Sequence, residues 1–361
     1  MGSFSRRLVA AAAVAGVTAA AVPAAHAATV ETVARNLDNP RSVAVGPDGA
    51  VYVANTGRGG GRCQGAGEEA MCVGRTGRIV RVAPDGSKST VARGFASIAG
   101  QGGPFAAGVH GVSVAPDGSV FAVTGSGTPR DLNTLPGVFR RQAGSLFSAG
   151  GGDFSRVARI DRIEHRRNVD DIKGDRNSNP YAVLALADRQ IVVDAGANAV
   201  FEVRGGKASL LALIPNRRKG RRQAVPSSIA LGPDGAYYVG ELAETSGKGK
   251  ARVWRIPPEG GTATVFRSGF TMVTGVAFGP DGSLFVTEFA VNRRFNGRLV
   301  RVAPDGSRTV VAGVKKLTAP TGAAVDATGA VYVSNFSVLP RRTPKNSEFR
   351  GAGGTLVKVT P

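Results

Sequence analysis

A fifteen-residue phrase, VAVGPDGAVYVANTG at 43–57, returns in modified form along the chain. Apolar residues flank a turn in which proline presets φ, aspartate tolerates the next corner and glycine supplies positive φ, so each copy predicts a β-hairpin. Six copies align on that turn, spaced by 69, 71, 46, 47 and 47 residues. A repeat near 47 residues, with two further strands in most copies, is the size of a propeller blade. The aligned turn position holds Gly49, Gly118, Arg189, Gly235, Gly282 and Gly329.

The predicted fold is therefore all-β: a six-bladed β-propeller of four-stranded antiparallel blades. The last copy ends in GGTLVKVTP at 353–361, which supplies a third strand but no fourth. An unassigned strand, TVETVARNL at 29–37, precedes the first copy. We expect this strand to complete the last blade and close the ring, since closure leaves no free sheet edge. Residues 28–361 are then a single propeller domain.

Residues 1–27 have the pattern of an export signal. Arg6 and Arg7 precede an apolar run, and small residues end the segment at Ala25-His26-Ala27. The run is too short for a comfortable membrane span, and no later apolar run approaches one. We expect a secreted, extracellular product with no transmembrane segment, exported by either the general or the twin-arginine route.

The chain is strongly basic, with 46 Lys and Arg against 26 Asp and Glu and a formal net charge of +20. Such a charge is typical of nucleic-acid binding. Export and the scattered placement of the basic residues argue against that partner. The one dense cluster, RRKGRR at 217–222, is either a solvated loop or an attachment point for an anionic envelope polymer.

The two cysteines, Cys63 and Cys72, lie close together in a Gly-rich stretch. In an exported chain an even pair at short spacing predicts a disulfide. A zinc site is the alternative, but the sequence supplies neither further cysteines nor a nearby histidine.

The hairpin turns lie at one end of each blade, so the segments before the first strand and after the second share the opposite end. We call that end of the channel the mouth and expect any site there. Its predicted ligand-binding residues are Arg41 and Asn179 before first strands, and Asn55 and Asn335 after second strands. Inserted residues at 57–77 and 125–153 should rise over the same face as a partial lid.

Three carboxylates end the second strands of consecutive copies: Asp194, Glu241 and Glu288. Hard oxygen ligands converging at a propeller mouth suit Ca²⁺, so these residues are a candidate metal site. The alternative is structural, because a carboxylate at a strand end can accept loop N–H bonds or pair with an arginine.

His110 directly precedes an inner strand and is the one candidate catalytic residue. It could act as a general base or a ligand, or be a hydrogen-bonded packing residue. The chain has no G-x-S-x-G elbow, no H-E-x-x-H and no P-loop, so the sequence favours binding over catalysis.

The unit NPRSVAVGPDGAVYVAN resembles the NHL repeat, and SNPYAV followed by VVDAGANAV is its closest copy. Over the mature length the chain is similar to the secreted ScyD/ScyE family. The features that carry this are GGGRC…CVGRTGRIVRV, GVHGVSVAPDG and VPSSIALGPDGAYYVGEL. The resemblance implies an NHL/TolB-like six-bladed propeller, export and no defined activity.

The predicted fold also looks like the calcium-dependent lactonases of the gluconolactonase type. Those enzymes take ligands from a Glu before the first blade and an Asn and an Asp further round. Here the first blade is preceded by Asn39-Pro40-Arg41, and of the later segments only Asn179 corresponds. We therefore hypothesise a secreted binding or scaffold protein of undefined ligand, with a calcium-dependent hydrolase or lyase at the mouth as the alternative.

Overall fold

The computed structural model describes residues 28–65, 70–216, 223–243, 247–292 and 295–361, which form six antiparallel blades around a central channel. The predicted export signal at 1–27 and the basic cluster at 217–222 lie outside the described residues. No helix in the described ranges is long and apolar enough to cross a membrane. The predicted six-bladed, four-stranded architecture is confirmed.

The strands run from the channel outward in each blade, except that β1 (Thr29–Leu37) belongs to the last blade. Blade 1 contains β2 (Pro40–Val45), β3 (Val51–Asn55), the short β4 (Arg62–Gln64), β5 (Met71–Val82) and β6 (Lys88–Gly100). Blade 2 contains β7 (Val109–Val114), β8 (Val120–Thr124), β9 (Ser145–Gly150) and β10 (Asp153–Arg159). Blade 3 contains β11 (Pro180–Ala185), β12 (Gln190–Asp194), β13 (Ala199–Arg204) and β14 (Lys207–Leu213).

Blade 4 contains β15 (Pro226–Leu231), β16 (Tyr237–Glu241), β17 (Ala251–Ile256) and β19 (Thr264–Phe270), while β18 (Gly261–Thr262) pairs with β14 of blade 3. Blade 5 contains β20 (Val273–Phe278), β21 (Leu284–Glu288), β22 (Arg298–Val302) and β23 (Arg308–Ala312). Blade 6 contains β24 (Thr321–Val325), β25 (Val331–Asn335), β26 (Gly354–Thr360) and β1.

The ring closes as predicted. Strand β1 pairs antiparallel with β26, from Thr29 opposite Thr360 to Leu37 opposite Gly354. Ala34 and Leu37 of β1 are buried in the apolar layer between blades 6 and 1. The first and last described strands are thus hydrogen-bonded in one sheet, with β1 as the outermost strand of blade 6.

The core lies between neighbouring blades. Successive side chains along a strand point to opposite faces of the blade, so each blade presents apolar side chains to both of its neighbours. Between blades 3 and 4, for example, Ile191 and Val193 pack with Tyr237, Val239 and Trp254. The apolar runs of the second strands are consequently buried throughout, as in VYVAN of β3 and LFVTE of β21.

The Pro-Asp-Gly turns are structural. In the first, Gly49 has φ +72° and the Ala50 N–H donates to Asp48 Oδ1 at 3.2 Å. The same aspartate accepts from Arg81 Nε of the third strand at 3.0 Å. Blades 4 and 5 repeat the pair, through Arg255 and Asp234 and through Arg301 and Asp281. The turn end of each of these blades satisfies its own charges.

The two insertions form an accessory layer that the repeat pattern did not specify. Strands β5 and β6 extend past blade 1, and the predicted disulfide between Cys63 and Cys72, which joins β4 to β5, is confirmed. In blade 2 the insertion forms α1 (Pro129–Thr134) and α2 (Gly137–Gln142), and a third helix, α3 (Asp161–Arg167), precedes blade 3. Phe139 of α2 packs against Ala96 and Ile98 of β6.

Candidate functional site

A β-bulge interrupts each inner strand where the strand leaves the mouth. In blade 1 Pro40 pairs with Asn55 but the next pair is Val43 with Val53, so an extra residue is accommodated between them. Blades 2 to 5 have the same irregularity at the same place. In blade 6 it lies one residue further along, between Thr321 and Ala324. A bulge re-aims the side chain it carries. We call the residues at this position the mouth ring: Arg41, His110, Tyr181, Ser227, Thr274 and Thr321.

Half of the mouth ring holds blades together. The Ser227 hydroxyl donates to the Val273 carbonyl at 2.6 Å, and Thr274 donates to the Pro320 carbonyl at 2.9 Å. Thr321 continues the series, donating to the Arg41 carbonyl at 3.2 Å. These three hydroxyls therefore donate to carbonyls of the neighbouring blade. Below them the inner strands line a channel of about 200 Å³.

The other half of the mouth ring carries unsatisfied polar groups. Arg41 donates from Nη2 to the Ala106 carbonyl at 3.0 Å, but its buried Nε has no hydrogen-bond partner. His110 is 6% exposed, and its Nδ1 also lacks a partner. The His110 ring lies 4.8 Å from the ring of Tyr181. Arg41 and His110, predicted separately, therefore lie side by side in blades 1 and 2.

His110 is a neutral imidazole at physiological pH. Burial and, to a smaller extent, the positive charge of Arg41 together lower the pKa of His110 to about 3. Its Nε2 accepts from the Gly108 N–H at 3.4 Å, so in the neutral ring the proton sits on Nδ1. A group with so low a pKa is a poor general base near pH 7. The arrangement favours a hydrogen-bond donor over the predicted catalytic role.

A glycine opens space beside this pair. A Cβ at Gly125 would lie 2.7 Å from Asn179 Oδ1 and 3.0 Å from His110 Nδ1. The predicted ligand residue Asn179 is thus brought to His110 across Gly125, whose lack of a side chain leaves room between the two polar atoms. We call Arg41, His110, Asn179 and Tyr181 the polar half of the mouth.

The three predicted metal ligands are held apart in their own blades. Asp194 accepts from the Ser178 hydroxyl at 2.6 Å and from the N–H groups of Asn179, Gly196 and Ala197. It is fully buried and joins a lead-in segment to a loop of the same blade. Within the described ranges, no group of three or more His, Cys, Asp or Glu side chains is placed to hold a metal ion.

Glu241 and Glu288 also bind protein donors within their own blades. Glu241 accepts from Arg252 Nε at 3.0 Å and from Trp254 Nε1 at 2.9 Å. Glu288 accepts from the Thr271 N–H at 2.5 Å and pairs with Arg298. Each arginine belongs to the third strand of the blade that contains its glutamate. The structure supports the structural alternative for these carboxylates, and it does not bring them together.

The predicted ligand residues Asn55 and Asn335 also accept backbone N–H bonds within their own blades. Asn55 Oδ1 accepts from the Asp38 N–H at 2.6 Å, and Asn335 Oδ1 accepts from the Thr318 N–H at 2.7 Å. Both side chains are buried. The residue that ends a second strand therefore fastens, through its side-chain oxygen, the segment leading into the first strand.

The residue directly after each second strand was not among the predicted site residues. Its N–H donates to a carbonyl of the lead-in segment in each blade, at 2.8 to 3.3 Å, so its backbone lies beside the start of the inner strand. Gly125 occupies this position in blade 2. We call these residues the second ring: Thr56, Gly125, Ala195, Leu242, Phe289 and Phe336. Shifting the repeat alignment by one residue past the strand end would have found them.

A buried carboxyl lies near the outer part of blade 3. Glu164 of α3 is fully buried and accepts the Val169 N–H through Oε2 at 2.8 Å, while Oε1 has no partner. Burial and, to a smaller extent, the nearby carboxylates of Asp170, Asp194 and Asp175 together raise the pKa of Glu164 from 4.5 to about 7. The folded protein therefore holds this proton more tightly than the unfolded chain.

This proton predicts a pH-dependent stability. As pH rises from about 4.5 to about 7 the unfolded chain loses the proton first, so stability falls through that window. Glu164→Gln is expected to raise the Tm relative to the unmodified protein by about 3 °C more at pH 8 than at pH 5. Thermal unfolding followed by circular dichroism measures this, with the exposed Glu348→Gln as control. An equal shift at both pH values contradicts the proposed protonation.

A family model described as "SMP-30/Gluconolactonase/LRE-like region" matches residues 155–346, more than half of the chain. The chain belongs to this family. No curated protein sequence matches it. The SMP-30/gluconolactonase/LRE-like assignment agrees with the six-bladed fold. The finer resemblances to the ScyD/ScyE family and to the NHL repeat stay predictions.

Solved structures similar to this SMP-30/gluconolactonase/LRE-like chain are propellers of low identity. A gluconolactonase from Xanthomonas campestris has a TM-score of 0.56 at 10% identity, over 92% of this chain and 89% of that one. A putative glucose dehydrogenase from Thermus thermophilus has 0.54 at 16%, over 92% and 100%. A streptogramin B lyase has 0.51 at 12%, over 92% and 97%. At these identities the likeness shows the fold alone.

Proposed function

We propose that this protein is a secreted binding protein that holds a small anionic ligand at the propeller mouth without a metal ion. One observation carries the proposal: Arg41 Nε and His110 Nδ1, from adjacent blades, are buried N–H donors without an acceptor. Leaving such a donor unpaired costs about 1–3 kcal/mol. A carboxylate or phosphate oxygen would satisfy both donors and add a charge-assisted bond to the guanidinium.

The charges around the mouth support an anion. In the described part of the chain no acidic side chain forms a salt bridge with Arg41, whereas Asp38 nearby is taken by Arg341, Nη2 to Oδ2 at 2.6 Å. Asp38 also lies 3.7 Å from Arg78. The polar half of the mouth therefore offers donors and positive charge to a ligand, while the carboxylate of Asp38 is already neutralised.

Calcium, which gluconolactonase-type enzymes would imply, does not fit the residues present. Ca²⁺ needs six to eight oxygen ligands. The polar half of the mouth presents the N–H groups of Arg41 and His110, and the three predicted carboxylates accept bonds from protein donors instead. We accordingly derive no catalytic step through a metal.

Acetate tests anion binding most simply. Replacing chloride by acetate at constant ionic strength is expected to raise the Tm by a few degrees, because a ligand that binds only the folded state stabilises it. In Arg41→Gln the rise should be lost. Arg93→Gln is the matched control, an exposed arginine of the same blade. Equal acetate responses in Arg41→Gln and the control would refute the site.

Family membership favours a second candidate, a lactone hydrolase or lyase acting at the same mouth. Its test is turnover of D-glucono-1,5-lactone with and without calcium. Calcium-dependent turnover that disappears in a folded Glu241→Gln variant would support the enzyme over the binding protein. Absent turnover leaves the binding proposal in place, whereas turnover that is indifferent to calcium would contradict it.

Secretion and attachment to an anionic envelope polymer are further parts of the proposal. They rest on the sequence of residues 1–27 and on the net charge of +20. Attachment by charge alone should be reversed by salt, because screening shortens the range of electrostatic attraction to about 3 Å at 1 M. Release of the protein from isolated envelopes by raised salt is the corresponding observation.

A further inference from the structure

The side of the mouth facing away from His110 is apolar. In the second ring, blades 4, 5 and 6 contribute Leu242, Phe289 and Phe336, all of them partly exposed. Blades 1 to 3 place Thr56, Gly125 and Ala195 at the same position. These positions are equivalent in the six blades, because each N–H donates to its lead-in segment. The partly exposed Phe289 and Phe336 pack against Ala319, Val338 and Leu339, and with Leu242 they make blades 4 to 6 the apolar half of the second ring.

Two more phenylalanines extend the apolar half. Phe295 lies in the loop that follows Phe289, with the two rings 5.8 Å apart in an edge-to-face arrangement. Phe105 comes from the segment before blade 2, and its ring centroid lies 6.1 Å from that of Phe295. Phe105 is 53% exposed, unusual for so large an apolar side chain. We call Phe105, Phe289, Phe295 and Phe336 the aromatic wall.

The backbone of the aromatic wall is strained. Phe105, Phe295 and Phe336 have φ of 53°, 56° and 52°, in the left-handed region that bulky side chains avoid. Hydrogen bonds hold them there, from the Phe105 N–H to the Val338 carbonyl at 2.8 Å and from the Ala319 N–H to the Phe295 carbonyl at 2.6 Å. Strain that the surroundings enforce is typical of ligand-contacting positions.

The aromatic wall begins beside the guanidinium. Phe105 is followed by Ala106, whose carbonyl accepts from Arg41 Nη2 at 3.0 Å and whose N–H donates to Asn39 Oδ1 at 3.2 Å. One segment thus connects the exposed ring to the cation. A ligand whose anionic group contacts Arg41 would lie with its remaining atoms within reach of Phe105.

We propose that the ligand is a planar aromatic anion, such as an aromatic carboxylate, with its charged group at Arg41 and His110 and its ring on the aromatic wall. The inference rests on the proposed anion binding and adds the chemical class of the ligand. A flat ring suits this surface because aromatic side chains stack or meet edge-to-face with other rings.

Three probes separate the two ends of such a ligand: 2-naphthoate carries both, acetate only the charge and 2-naphthalenemethanol only the ring. We expect 2-naphthoate to bind the full chain at least 10-fold more tightly than either of the others, measured by isothermal titration calorimetry. Phe105→Ala should weaken 2-naphthoate at least five-fold and leave acetate unchanged. Arg41→Gln should weaken both acids.

Two further variants control for an effect of the Phe105 substitution on folding. Phe105→Asn should behave as Phe105→Ala does, since asparagine tolerates positive φ, and Val265→Ala, 48% exposed on the outer strand of blade 4, should change nothing. If 2-naphthoate binds no more tightly than acetate, or ignores both Phe105 variants, the aromatic inference is overturned while anion binding stands. Equal affinities for 2-naphthoate and 2-naphthalenemethanol would also overturn it. Acetate binding that ignores Arg41→Gln removes the proposed function itself.

Discussion

Deleting residues 29–37 is expected to lower the Tm by 10 °C or more, far beyond the effect of trimming an ordinary terminus. The deletion removes the fourth strand of blade 6 and with it the pairing to β26 along its whole length. It also removes Leu37, 1% exposed, and Ala34, 5% exposed, from the core between blades 6 and 1. Lost apolar burial alone amounts to roughly 5 kcal/mol. Differential scanning calorimetry measures the change.

Two single substitutions make this test more specific. Leu37 and Leu213 each end the outer strand of a blade, but they differ in burial. Leu37→Ala in β1 should cost about 3 kcal/mol, as for a fully buried leucine. Leu213→Ala in β14, where the leucine is 37% exposed, should cost less than about 1 kcal/mol. Similar losses for the two variants, or an unchanged Tm on deleting 29–37, would show that closure through β1 does not stabilise the ring.

Asp194→Ala is expected to cost about 3–5 kcal/mol in free energy of unfolding, the second large effect. It leaves the Ser178 hydroxyl and the N–H groups of Asn179, Gly196 and Ala197 without their acceptor in a buried place. The matched control is Asp188→Ala, whose carboxylate is 55% exposed and pairs with Arg204, and which should cost under about 1 kcal/mol. Urea unfolding followed by fluorescence measures both.

The same variant separates a structural carboxylate from a metal ligand. If Asp194 is structural, the loss of stability is the same with calcium and with a chelator. A calcium-dependent rise in the stability of the unmodified protein that is absent in Asp194→Ala would restore the metal-site interpretation for this residue.

The repeat pattern was sufficient for the fold because it is dictated by the backbone. The glycine positions of the hairpin turns, such as Gly49 and Gly282, require positive φ, and the strand alternation follows from burial between blades. The missing fourth strand after Pro361 predicted closure by 29–37. The helices α1 and α2 were not predicted, since they occupy an insertion outside the repeat and together span few turns.

The candidate site was predicted in part. Arg41, His110 and Asn179 lie near the start of their inner strands, which the repeat alone specifies, while their role in binding stays a prediction. The roles of Asp194, Glu241 and Glu288 depend on side-chain direction, and a carboxylate that ends a strand can point to a ligand or fasten a loop. Phe289 and Phe336 resemble ordinary core residues in the sequence, and the repeat alone gave no reason to expect their exposure.

The bulge in each inner strand separates folding from recognition. Because the extra residue interrupts the pairing, its side chain is excluded from the alternation that fills the space between blades. Arginine, histidine, tyrosine, serine and threonine all occupy the position in one and the same ring. The scaffold thus carries one side chain per blade outside the core. Three of them, in blades 4 to 6, join neighbouring blades, while those of blades 1 to 3 leave binding specificity open to change without redesigning the core.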